Sequence, residues 1–143
     1  MFEEELMKSQ IKLLSLCNEL CSNAETAINV YIYYNESEQY FNVFFQRKNS
    51  TVKPKELTES EKTEKHFFQL AYEDIALINS VYKKHNQSIP IHSQLVYDLR
   101  KKQYRSFYIY KGEKESSIKP EMFFDKWIER TNKSKWIWQK KMQ

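Results

Sequence analysis

The chain has 143 residues, 41% hydrophobic and 29% charged, a composition that fits one folded domain and excludes a disordered one. It contains a single glycine, Gly112, so the multi-glycine loops that cradle phosphates or dinucleotides, and the strained turn of a nucleophile elbow, cannot be built from it. The formal net charge of +4 conceals an asymmetry: residues 1–46 hold two Lys and seven Glu, a net of −5, and residues 47–143 hold 21 basic and 12 acidic side chains, a net of +9. A basic region of this kind suits nucleic acid or an acidic protein surface, and net charge alone does not choose between them.

Residues 3–22 are expected to form an amphipathic helix, with Leu6, Leu13, Cys17 and Leu20 in one stripe flanked by Ile11, Leu14 and Cys21. Glu3, Glu4 and Glu5 favour its positive end, and Ser22-Asn23 would stop it. Cys17 and Cys21 lie four apart, on one helical face, and read as small hydrophobes of the core. They are not a CxxC pair, the three histidines lie far along the chain, and no metal or other cofactor is expected.

Residues 27–34 (AINVYIYY) and 39–46 (QYFNVFFQ) read as two strands of an antiparallel hairpin around Asn35-Glu36-Ser37-Glu38. Residues 47–57 form a polar connection with Pro54. Thr58-Glu59-Ser60-Glu61 then matches a capping box that opens a helix running to about Lys84. Its core stripe is Phe67, Ala71, Ile75, Ile78 and Tyr82, widened by Leu70, Leu77 and Val81. After a loop containing Pro90, residues 94–100 and 103–110 read as a second hairpin around Lys101-Lys102. Pro120 suits the first position of a short helix over 120–131 that buries Phe123, Phe124 and Trp127. The end of the chain, residues 132–143, reads as an extended basic tail carrying Trp136 and Trp138.

The expected architecture is a single α+β domain over 1–143, in the order α-β-β-α-β-β-α, with residues 1–25 as its N-terminal helix unit. Its four-stranded antiparallel sheet would carry all helices on one face, leaving the other to tyrosines and Phe44. No signal peptide and no apolar run of membrane-spanning length is visible, so a cytoplasmic protein without a membrane partner is expected.

Catalytic constellations are thin. Glu73, Asp74, Asp98 and Asp125 lie on separate elements with nothing to oppose any two of them, and solvated charge is their simplest reading. His66, His85 and His92 match no catalytic or metal-binding spacing and read as loop or surface histidines. Contact chemistry is better represented. Tyr31, Tyr33, Tyr40, Tyr104, Tyr108 and Tyr110 on the hairpins bring large rigid area with a polar tip. Arg100, Lys101, Lys102 and Arg105 form a basic cluster, and Trp136 and Trp138 add two further rings. The tyrosines could equally pack on each other or under a helix, and the basic cluster could be a solvated turn.

The strings VYIYYNESEQYFNVFF, VKPKEL, QLVYDLRKKQYRSFYIY and PEMFFDKWIER, with Trp127 at an aromatic position, resemble the YezG-like immunity proteins over residues 28–131. That resemblance implies a non-enzymatic cytoplasmic antitoxin that binds and neutralises a secreted polymorphic toxin domain. The chain departs from the family in having Lys101-Lys102-Gln103 where a hairpin glycine is usual, and KGEKESS where acidic residues follow the fourth strand. Its positive charge also argues against mimicry of nucleic acid. The expected function is therefore toxin binding, with a small nucleic-acid-binding module as the alternative.

Overall fold

The computed structural model describes residues 1–21, 27–47, 50–58 and 60–142, with backbone alone for 21, 27 and 133–142. The elements are α1 (Phe2–Cys21), β1 (Ala27–Asn35), β2 (Tyr40–Arg47), β3 (Thr51–Val52), α2 (Pro54–Leu57), α3 (Glu61–Lys84), β4 (His92–Asp98), β5 (Gln103–Ile109) and α4 (Pro120–Met142). The strands form one antiparallel sheet in the order β3-β2-β1-β4-β5. The α+β class and the two hairpins are as expected from sequence; the strand count and the placement of helices are not.

The fifth strand, β3, lies in the stretch read as a polar connection. Arg47 N–H donates to the Ser50 carbonyl at 2.8 Å, and the chain turns back so that Val52 opposes Phe45. Val52 and Pro54 are buried, Pro54 at the first turn of α2, where its missing N–H costs nothing. Helix α3 is capped by Ser60 rather than Thr58: the Ser60 hydroxyl accepts from Thr63 N–H at 3.3 Å, and the Thr58 hydroxyl accepts from Ser60 N–H instead.

Both hairpins turn without glycine, by one device. Asn35 Oδ1 accepts from Glu38 N–H at 3.1 Å, and Asp98 Oδ1 accepts from Arg100 and Lys101 N–H at 2.9 and 3.0 Å. Four residues after each of these side chains, Gln39 (φ 50°) and Lys102 (φ 55°) take the left-handed conformation that glycine usually supplies. The backbone N–H bonds hold the Asp98 carboxyl below its ordinary range.

On one face of the sheet, Val30, Ile32, Tyr34, Val43, Phe45 and Leu95 pack against α1 and α3. The α3 stripe Phe67, Ala71, Ile75, Ile78 and Tyr82 is buried as its period requires, with Val81 at its margin and Leu70 half-buried, while Leu77 is exposed. In α1, Leu13, Leu14 and Cys17 are buried, and Ile11 is exposed. The two helices run antiparallel, with Glu5 near Lys84 and Lys12 near Asp74. Asp74, read as a solvated charge, is in fact buried and only partly compensated by Lys12 Nζ at 3.6 Å, so its carboxyl is pushed up by desolvation.

The second face is not open. Phe123, Phe124 and Trp127 of α4 close over Tyr33, Phe44 and Val96, giving a three-layer arrangement with helices on both faces. The helix also continues to Met142, so the expected extended tail is helical in its backbone. The side chains of Trp136 and Trp138, and the expected helix stop at Ser22-Asn23, lie outside the described residues. Among the described residues no helix is long and apolar enough to cross a membrane.

Candidate functional site

Three of the six candidate tyrosines are used inside the fold, because α4 covers the strands that carry them. Tyr33 is fully buried and stacks on Phe123 with centroids 5.1 Å apart. Tyr31 lies flat on Phe44 at 4.5 Å, meets Trp127 edge-on, and donates its hydroxyl to Gln46 Oε1 at 2.7 Å. Tyr40 is half-buried beside Tyr33, and burial raises the pKa of all three phenols. Tyr33, expected at a contact surface, is thus a packing residue, while Tyr31 and Tyr40 pack in the same layer and stay partly exposed. The face of α4 that replaces them exposes Met122.

Tyr104 and Tyr108 point the other way, toward α1. Gln10 of α1, 2% exposed, donates to the Tyr108 hydroxyl at 2.7 Å and the Tyr34 hydroxyl at 3.4 Å, and accepts from the Tyr104 hydroxyl at 3.3 Å. One glutamine thus ties α1 to both β1 and β5. His92, expected on the surface, is fully buried in β4 beneath α4.

The basic cluster does come together at the surface. Arg100, Lys101, Lys102 and Arg105 are all exposed, at the turn and first half of the β4–β5 hairpin. Asp98, the carboxylate in this turn, has its Oδ1 engaged by backbone N–H groups. The Arg105 guanidinium stands 5.9 Å from the ring centre of Phe107, which is 46% exposed. In the sequence Phe107 alternates with Tyr108 as Ile109 does with Tyr110, a pattern that does not distinguish the two apolar residues. Phe107 lies beside the exposed Gln103 and Arg105 on one face of β5, while Ile109, further along the same face, packs against the α4 cluster.

β5 is the outer strand on its side of the sheet, and its backbone directions follow from the ladder. Leu99 N–H donates to the Ile28 carbonyl at 3.0 Å, so β4 residues of odd number bond toward β1. The even-numbered residues 92–98 therefore bond toward β5, where they oppose Ile109, Phe107, Arg105 and Gln103. The N–H and C=O groups of Tyr104, Ser106 and Tyr108 consequently point off the sheet. Among the described residues no strand pairs with them. On the opposite side β3 pairs with Phe45 and Gln46 of β2 and runs into Pro54, and Val43 N–H, further along β2, is taken by the Asn42 side chain.

No protein-family model matches this chain, and no curated protein matches it.

Beside the β5 edge, a groove of about 520 Å³ runs between α1 and the hairpin, lined by Ile11, Leu14, Tyr97, Lys102, Tyr104 and Arg105 among others. Ile11 is 46% exposed, and Met7, one turn earlier on the same side of the helix, is 52% exposed. Tyr110 ends the strand, 38% exposed. The edge therefore combines unpaired backbone groups, exposed apolar side chains and four cations. Elsewhere, among the described residues, no three His, Cys, Asp or Glu side chains gather into a metal-binding group.

Proposed function

We propose that this chain is a non-enzymatic binding protein that holds a protein partner along β5, and that the partner is a bacterial toxin domain it neutralises in the cytoplasm. The observation that carries the first part is the β5 edge: an outer strand of seven residues that exposes its own Arg105 and Phe107, with Met7 and Ile11 exposed on α1. Exposed apolar and arginine side chains around unpaired backbone groups are the ingredients of a protein contact. The second part rests on the resemblance to YezG-like immunity proteins in the two hairpins and in PEMFFDKWIER.

A stable complex buries about 800 Å² on each partner, and a few anchors dominate its energy. The rings of Phe107 and Tyr110 and the guanidinium of Arg105 are the anchors here, with Arg100, Lys101 and Lys102 at the rim. Tyr104 and Tyr108 support the edge from behind through Gln10.

Co-expression with a toxin domain encoded by a neighbouring gene, where one is found, tests the reading. Cells are expected to survive, and the two proteins to elute together in gel filtration. Death of the cells with no co-elution would sink it. Binding to single- or double-stranded nucleic acid at low salt, weakening steeply as salt rises, would favour the nucleic-acid alternative.

A further inference from the structure

We infer that the partner docks by adding an extended acidic strand to the free edge of β5, with alternate side chains entering the groove beside α1. The inference rests on the protein-binding reading above and names the chemistry of the partner segment.

The backbone comes first. Tyr104, Ser106 and Tyr108 present both donors and acceptors, spaced by two strand residues or about 7 Å. An extended peptide matches both kinds of group along its length, whereas a phosphate backbone offers acceptors to the N–H groups and nothing to the carbonyls. The side chains then sort the added strand by parity. Its residues on the α1 side meet Ile11, Leu14, Tyr97 and Tyr104, with Lys102 at the turn end of the same groove, and so are mainly apolar. Its residues on the other side meet Arg105 and Phe107, and beyond them the basic turn, and so include carboxylates.

Charge also separates this occupant from a second copy of the chain. Pairing β5 with itself about Ser106 would set the two Arg105 side chains on a diagonal of one face. Like charges so placed oppose the pairing. A strand carrying Glu or Asp meets no such penalty.

The test uses the full chain, labelled with 15N, and a synthetic peptide alternating Glu and Val as the probe. The amides of Tyr104, Ser106 and Tyr108 are expected to exchange freely in the chain alone and to gain protection when the peptide is added. A counterpart peptide with Lys in place of Glu is expected to leave them unprotected. Arg105→Glu combined with Lys102→Glu, both at exposed positions, should weaken the acidic peptide by about tenfold or more. Ser106→Pro removes an outward N–H while sparing the ladder to β4, as edge strands tolerate, and should abolish the protection. If that variant misfolds, the charge-reversal pair decides. Equal protection by the Lys peptide, protection by a homopolymeric single-stranded DNA in place of the peptide, protection that grows with protein concentration alone, or no protection by any probe would each overturn the inference.

The two proposals fail separately. A Ser106→Pro chain that loses the peptide yet still protects cells from a toxin overturns strand addition and leaves the immunity function standing. A native chain that binds the acidic peptide but rescues no toxin-expressing cell supports strand addition and removes the immunity function.

Discussion

The hydroxyl of Tyr33 lies 2.6 Å from Nδ1 of His92, and neither residue is exposed to solvent. On the other side of the ring, Nε2 is 3.0 Å from the Glu115 carbonyl, which can only accept. Nε2 therefore carries a proton, and in the neutral imidazole, the form that burial favours, Nδ1 accepts from the tyrosine hydroxyl. The ring stacks on Phe123 at 4.1 Å, so the pair locks the centre of the sheet to α4 and to the loop before it.

Burial lowers the His92 pKa from its ordinary 6.5. As pH falls, the unfolded chain takes up its proton first and the folded chain later. The stabilisation is thus complete above the unfolded pKa and is lost as pH drops through it toward the lower folded value. Urea midpoints measured across mildly acidic pH should fall, and His92→Gln should flatten that dependence. His92→Phe, which strands the Tyr33 hydroxyl and the Glu115 carbonyl, should cost about 1–3 kcal/mol at neutral pH. A pH slope unchanged by His92→Gln would assign it to other groups.

Gln10 is a second buried polar junction, and the one that bears on the binding edge. Gln10→Ala leaves the hydroxyls of Tyr34, Tyr104 and Tyr108 without the group that joins them. A loss of about 1–3 kcal/mol in chemical denaturation is expected. Hydrogen exchange in β5 should rise more than in β2, because α1 grips β5 through this residue. Uniform change across the sheet would count against that link.

Trp127 seals the aromatic layer, with its ring 5.4 Å from Tyr31 and 5.3 Å from Phe44. Trp127→Ala should cost about 3–5 kcal/mol, the usual range for removing a large buried aromatic. It should also uncover Tyr31 and Phe44 and increase binding of a hydrophobic dye. If stability fell by much less, α4 would be a loosely held lid rather than part of the core.

The glycine-free turns offer a prediction of opposite sign. A non-glycine residue in the left-handed conformation costs about 1–2 kcal/mol. Glycine relieves that cost but loses about 0.5–1 kcal/mol through its greater freedom when unfolded. Lys102→Gly and Gln39→Gly should therefore each raise stability by about 0.5–1 kcal/mol, visible as a higher thermal midpoint. Since Lys102 also belongs to the basic rim, Gln39→Gly is the cleaner test. A lower midpoint in both variants would show that these turns are not strained.

The departures from expectation have separate physical causes. Tyr31, Tyr33 and Tyr40 were read as a solvent-facing set because tyrosine tolerates either environment. The signal against this was present in β1 and β2. AINVYIYY and YFNVFF are apolar or aromatic at both parities, the pattern of strands covered on both faces. β5 differs, with Gln103, Arg105 and Ser106 interrupting it, and it is the strand left open on its outer side. His92 misled because a lone histidine near a proline-containing loop looks like a surface residue. It became a core residue only when Tyr33 and Glu115 supplied a partner for each ring nitrogen. The fifth strand escaped notice because two residues carry no period.

What the amino-acid order determined by itself was local. The 3.6-residue stripe of α3, the two hairpins and the acidic start of α1 follow from side-chain spacing and turn chemistry, which need no distant partner. So does the basic character of the second turn, which stays at the surface because desolvating four cations is costly. The tertiary structure alone decided which aromatic face α4 covers, and hence that the tyrosines of β1 are packing and the edge of β5 is surface. That choice depends on the competition between burying Phe123, Phe124 and Trp127 against the sheet and leaving them in water, an energy summed over residues roughly a hundred positions apart in the chain.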